Sequence, residues 1–104
     1  MLRGKKLGVL LSTPPGHPNF GRGLCLAEAA LREGIDVYLY CIHDAVAGIG
    51  NEQLQDLKTR GLKLFACAYG AQRRDLALSE QATFSGLTIL SEIIACTDRF
   101  LSFN

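Results

Sequence analysis

Three short stretches of this chain are mostly apolar along their whole length: Lys5 to Ser12, Ile35 to Ile42 and Leu62 to Cys67. A strand with one solvated face alternates apolar and polar residues, so continuous apolar runs point to strands covered on both faces, as in a parallel sheet. Between the first two, Phe20, Leu24, Ala27 and Leu31 recur at helical spacing, and Gly34 stands where a C-terminal cap belongs. Asn51 reads as the cap of a second helix that runs to about Arg60, carries Leu54 and Leu57 inward and ends at Gly61. A further helix is expected behind Ser85 as N-cap, with Leu87, Leu90 and Ile94 apolar, before "DRFLSF" (Asp98 to Phe103) as the last strand. This order predicts a three-layer α/β/α sandwich with a mainly parallel sheet in a flavodoxin-like arrangement, as a single domain over residues 1–104.

The bulk numbers narrow the function classes. At 48% hydrophobic and 20% charged residues the composition is that of an ordinary globular protein. A formal net charge of +1 offers no footprint for nucleic acid or an anionic membrane. The apolar runs are too short to cross a bilayer. The start, "MLRGKKLGVLLSTPP", is basic and then apolar, but Leu7 to Leu11 is short for a leader and no small-residue cleavage pattern follows, so it reads as the first strand of a cytoplasmic protein. The four cysteines, Cys25, Cys41, Cys67 and Cys96, form no CxxC pair and no dense framework, which argues against a secreted disulfide scaffold.

Parallel α/β sheets place their sites beyond the carboxyl ends of the strands. That edge should carry Thr13 to Asn19, Cys41 to Asp44 and Cys67 to Arg74. Cys67 attracts most interest. It ends an apolar run, is followed by the small residues Ala68, Gly70 and Ala71, and has Arg73 and Arg74 about two turns on. Free backbone N–H groups and cations favour a thiolate, and small residues permit close approach of another backbone or a sulfur adduct. On this pattern alone the plainer reading, a small apolar residue ending a strand, stands beside the functional one. Cys25 and Cys96 read as packing residues within helices, and His17 as a solvated loop residue. Cys41, His43 and Cys67 have no metal-ligand spacing, and no metal site is expected. The first loop lacks the Lys and Ser/Thr of a phosphate-binding loop.

With these residues laid out, the chain resembles the DsrE/DsrF-like family of sulfur-relay proteins, in its TusD/DsrE branch. Three stretches carry the resemblance: "CAYGAQRRD" around Cys67, "FSGLTILSEIIACTDRFLSF" (Phe84 to Phe103), and "VYLYCIHDAV" (Val37 to Val46). Cys67 falls on the family's sulfur-carrying cysteine, and Arg73 and Arg74 on its basic pair. Asp75 stands where the family usually has Gly, and Ala45 where the preceding turn usually has Gly. Asp tolerates a left-handed backbone better than most residues, although its charge opposes the arginines.

The resemblance implies a persulfide carrier that accepts sulfane sulfur on Cys67 and passes it on, with Arg73 and Arg74 stabilising the anion. Cys41, His43, Asp44, Tyr69 and Gly70 are the expected lining of the site. It also implies sulfur-donor and sulfur-acceptor protein partners, a homo-oligomer built as a trimer or hexamer, no cofactor, and no direct contact with nucleic acid or membrane. Two other classes compete: a non-catalytic partner subunit of such an assembly, and a peroxiredoxin-like thiol redox protein, which would need Cys41 as the resolving cysteine.

Overall fold

A computed structural model describes residues 4–104; Met1 to Arg3, the first part of the basic start, lie outside the described residues. The chain runs β1 (Lys6–Leu11), α1 (Pro18–Arg32), β2 (Asp36–Cys41), a 3-10 helix (His43–Gly48), α2 (Glu52–Thr59), β3 (Lys63–Cys67), α3 (Ala68–Arg73), β4 (Thr83–Ser85), α4 (Leu87–Cys96) and β5 (Arg99–Phe103). Every strand pairing is parallel, in the order β4-β3-β2-β1-β5. The three apolar runs form the centre of the sheet, as their burial on both faces requires. The chain therefore steps in one direction from β1 to β4 and returns once, through α4, to lay β5 beside β1.

Helix starts follow the chemistry of their first residues. Asn51 accepts a hydrogen bond from the Leu54 N–H at 3.1 Å, the cap expected from the sequence. His17 does the same for α1, its Nδ1 accepting from the Asn19 N–H at 3.1 Å ahead of Pro18; the sequence reading of His17 as a plain solvated residue missed this. Ser85 does not cap α4. It is the last residue of β4, a strand the sequence reading ran into the loop, and Gly86 takes the N-cap position with no side-chain bond. Among the described residues, no helix is long and apolar enough to cross a membrane.

Alternation along the strands divides the core. Leu7, Val9, Leu11, Val37, Leu39, Cys41, Leu64 and Ala66 face α1 and α2, where Phe20, Leu24, Ala27, Leu54 and Leu57 close over them. Tyr38, Tyr40, Ile42, Phe65 and Cys67 point to the opposite face, under α3 and α4. One central position there, Gly8, has little room. A Cβ on Gly8 would come within 2.5 Å of Phe100 Cδ1 and 3.1 Å of Ile93 Cγ2, so α4 and β5 can meet over β1 only because that residue has no side chain.

Two stability predictions follow from these positions. Gly8→Ala should lower the unfolding free energy by about 1–3 kcal/mol, the usual cost of overpacking, as read by denaturant titration. Burial pushes the Cys41 thiol from 9.0 up to about 12. Below about pH 9 both folded and unfolded chains keep that proton, so stability is flat there. Between 9 and 12 the unfolded chain releases it and the folded chain does not. Stability should then fall by about 1.4 kcal/mol per pH unit from this group. Cys41→Ala should flatten that slope in unfolding curves taken from pH 8 upward; an unchanged slope would show that Cys41 does not carry it.

Candidate functional site

β3 ends at Cys67, and the same residue starts α3. Its backbone is still extended (φ −69°, ψ 116°), and its Sγ accepts the Gly70 N–H at 3.3 Å, so the thiol serves as the side-chain cap of α3. Gly70 is held close: a Cβ there would meet Val46 Cγ2 at 3.2 Å and Cys67 Cβ at 3.6 Å. A side chain at 70 would require the Val46 methyl to give by a few tenths of an ångström. Cys67 itself is 5% exposed. The open side of the sulfur is a cleft of about 650 Å³ at the carboxyl edge of the sheet, lined by Ile42, His43, Cys67, Tyr69, Gly70, Arg73, Arg74, Gly86 and Leu87.

The two arginines reach this cleft in different ways. Arg74 donates to Asp44 Oδ1 at 2.9 Å and to the Gly70 carbonyl at 3.3 Å, which fastens α3 to the 3-10 helix after β2. Arg73 lies over the ring of Tyr69, 5.7 Å from its centroid, and Tyr69 is 66% exposed at the mouth. Asp44 thus enters the site as the partner of Arg74, not as a lining group.

His43 lines the cleft with a left-handed backbone (φ 54°), a conformation uncommon without a functional or turn requirement. The preceding strand therefore turns at His43, while Ala45 is buried inside the 3-10 helix, where no positive φ is needed. Asp75 adopts the left-handed backbone expected of a residue in a glycine position, also at φ 54°.

Cys41, also expected to line the site, is placed by the fold on the other face of the sheet. It is fully buried against the α1 and α2 layer, whereas Cys67 faces α3 and α4. Neighbouring residues of a strand point to opposite faces, so Tyr40 and Ile42 turn toward the site and Cys41 cannot. The trio Cys41, His43 and Cys67 does not converge. Among the described residues no group of three His, Cys, Asp or Glu side chains gathers to hold a metal ion. All four cysteines are free.

Sequence reasoning missed two residues behind the sulfur. Tyr40 is fully buried, and its hydroxyl donates to the carbonyls of Ser85 and Gly86 at 3.1 and 3.2 Å. Ser85 pairs in register with Cys67 across β3 and β4, and its Oγ is buried without a hydrogen-bond partner. The parity of β2 was a signal for Tyr40, but nothing in a three-residue strand marked Ser85.

The architecture has known counterparts. The YchN protein from E. coli superposes with a TM-score of 0.79 at 21% identity, over 95% of this chain and 98% of that one. BT1422 from Bacteroides thetaiotaomicron, a conserved protein of unknown function, gives 0.77 at 18% identity, over 98% and 97%. At such identities the likeness establishes the fold alone. Among curated proteins there is no match. The DsrE/DsrF-like family, whose general role is sulfur relay, matches residues 5–103. With that match running from the first strand through the Cys67 cleft to the last strand, this chain belongs to the DsrE/DsrF-like family.

Proposed function

We propose that this protein is a sulfur carrier that accepts sulfane sulfur as a persulfide on Cys67 and hands it to an acceptor thiol, in the manner of the TusD/DsrE branch. The observation that carries this reading is the position of Cys67 Sγ, bonded to the Gly70 N–H and opening only to a cleft edged by Arg73 and Arg74. In the inward step the Cys67 thiolate attacks the outer sulfur of a donor R–S–SH. The new S–S bond forms as the donor's S–S bond breaks, and R–S⁻ leaves with the electron pair. In the outward step an acceptor thiolate attacks the outer sulfur, and Cys67 leaves as thiolate. No external oxidant or reductant is consumed. A donor or acceptor must reach the sulfur of a residue that is only 5% exposed, which favours proteins presenting a cysteine on a protruding segment.

The competing readings fare worse on geometry. A redox cycle through Cys41 needs the two thiols to approach, and they lie on opposite faces of the sheet. A non-catalytic partner subunit needs no built sulfur environment, yet Cys67 has one.

Assembly belongs to the same proposal. Leu87 and Ile94 of α4, 59% and 49% exposed, lie seven residues apart on one stripe, away from the inward Ile93. Such a stripe suits a contact between copies, and a cytoplasmic homo-oligomer, trimer or hexamer, is the form proposed.

Incubation with a low-molecular-weight persulfide should add one sulfur to the Cys67 peptide by mass spectrometry, and Cys67→Ser should abolish the addition. A Cys41–Cys67 disulfide instead would establish redox chemistry, and an unmodified Cys67 would leave the partner-subunit reading. Light scattering should report an oligomer, and Ile94→Glu should shift it toward monomer; a wild-type monomer at micromolar concentration would remove the assembly claim.

A further inference from the structure

Two hydroxyl groups stand behind Cys67 that the sulfur-relay reading does not use. Ser85 lies opposite Cys67 in the parallel register of β3 and β4, and residues paired this way carry their side chains on the same face of a sheet. Its Oγ is buried and makes no hydrogen bond within the protein, an uncommon state for a buried polar group. The capping duty that would have explained this serine is absent, because Gly86 holds the N-cap of α4.

Tyr40 stands on the same face, packed in one cluster with Cys67. Its hydroxyl touches the Ser85 and Gly86 carbonyls, and so sits at the end of β4 beside the sulfur. Burial, chiefly, pushes this phenol up to about 12; the Ser85 side chain opposes the rise, and Cys67 adds to it both through its charge and as a hydrogen-bond partner. Tyr40 therefore keeps its proton at neutral pH and is available as a donor.

We propose that the hydroxyls of Tyr40 and Ser85 join the Gly70 N–H as a set of donors to Cys67 Sγ, holding it as an anion whenever it attacks or leaves. In that state the Ser85 side chain turns about its Cα–Cβ bond to bring Oγ to the sulfur, and the Tyr40 hydroxyl moves its proton from the two carbonyls toward the sulfur. In outward transfer the acceptor thiolate bonds to the outer sulfur, the S–S bond breaks, and its electron pair returns to Sγ. That is the atom the proposed donors serve, the Gly70 N–H already being bonded to it. The reaction comes from the sulfur-relay reading, but the donor set acts on the bare thiol as well and can be tested there.

The test measures the rate of iodoacetamide alkylation of Cys67 against pH, in full-length protein with the exposed Cys25 and Cys96 changed to serine. Other charged or titratable groups at the cleft are His43, Arg73, Tyr69 and the Arg74–Asp44 pair. These are common to all variants, so a difference between profiles belongs to the hydroxyl removed. Ser85→Ala and Tyr40→Phe should each slow alkylation about threefold to tenfold on the rising limb, leave the high-pH plateau unchanged, and move the profile to higher pH. Ser85→Thr, which keeps the hydroxyl, should restore the wild-type profile.

Ser85→Ala is the safer variant, since the Oγ makes no bond that folding would lose; if Tyr40→Phe does not fold, the serine pair alone decides. Profiles for Ser85→Ala and Ser85→Thr that both superimpose on wild type would overturn the proposal. A shifted Ser85→Ala profile in a protein that takes up no sulfur from a persulfide would uphold the donor set and remove the relay. Sulfur uptake with unshifted profiles would do the reverse.

Discussion

The hydrogen bond from the Gly70 N–H to Cys67 Sγ, at 3.3 Å, joins a strand end to a helix start through a side chain. Most caps use an oxygen for this purpose. A sulfur in the role fixes the thiol's rotamer and orders α3 around it. It also holds Gly70 against Val46, where a Cβ would meet Cγ2 at 3.2 Å. The 3-10 helix that supplies Val46 is fastened in turn by the Arg74–Asp44 bridge, so the segments after β2 and β3 form one unit about the thiol. A weaker cap would leave the sulfur free to rotate and the cleft without a fixed floor.

Strand parity then decides what shares that floor. β2 and β3 pair with Tyr40 opposite Phe65 and Cys41 opposite Ala66. One residue of shift would exchange every side chain between faces. The observed register gives the site Tyr40 and Ile42 and sends Cys41 to the other layer. The same parity brings Ser85 alongside Cys67, although the two lie far apart in sequence.

Much of this was readable from the residues. The central strands announce themselves because burial on both faces leaves no polar alternation. Asn51 announces its helix because its side chain satisfies an otherwise free N–H. Asp75 could be assigned a left-handed backbone because it stands in a glycine position. The failures share a cause, since each depended on register or on a competing partner. β4 has three residues, too few for a period. Ser85 has the chemistry of a cap, but pairing with β3 captured its backbone first. Cys41 was placed by its distance along the chain from the strand end, whereas the face it takes depends on odd or even position.

The proposed relay requires a negative sulfur in this cleft, and two kinds of interaction are available to hold it. The sequence draws attention to Arg73 and Arg74, but their charges stand at the mouth. Arg74 is largely answered by Asp44 at 2.9 Å, and Arg73 lies over an exposed tyrosine ring. Ion pairs at such exposed positions contribute about 0–1 kcal/mol, and salt screens them further. Hydrogen bonds to a charged group contribute about 1.5–3 kcal/mol each and act where water is excluded. Cys67, at 5% exposure, has one such donor in the Gly70 N–H and two hydroxyls within its own face of the sheet. On these magnitudes the single observed donor, the Gly70 N–H, would outweigh the arginines at a negative Cys67 Sγ, and the proposed hydroxyls would add to it. In the proposed relay the arginines would act on approach, drawing an anionic persulfide or thiolate to the mouth, so raised salt should slow encounter more than it changes the reactivity of the bare thiol toward a neutral reagent.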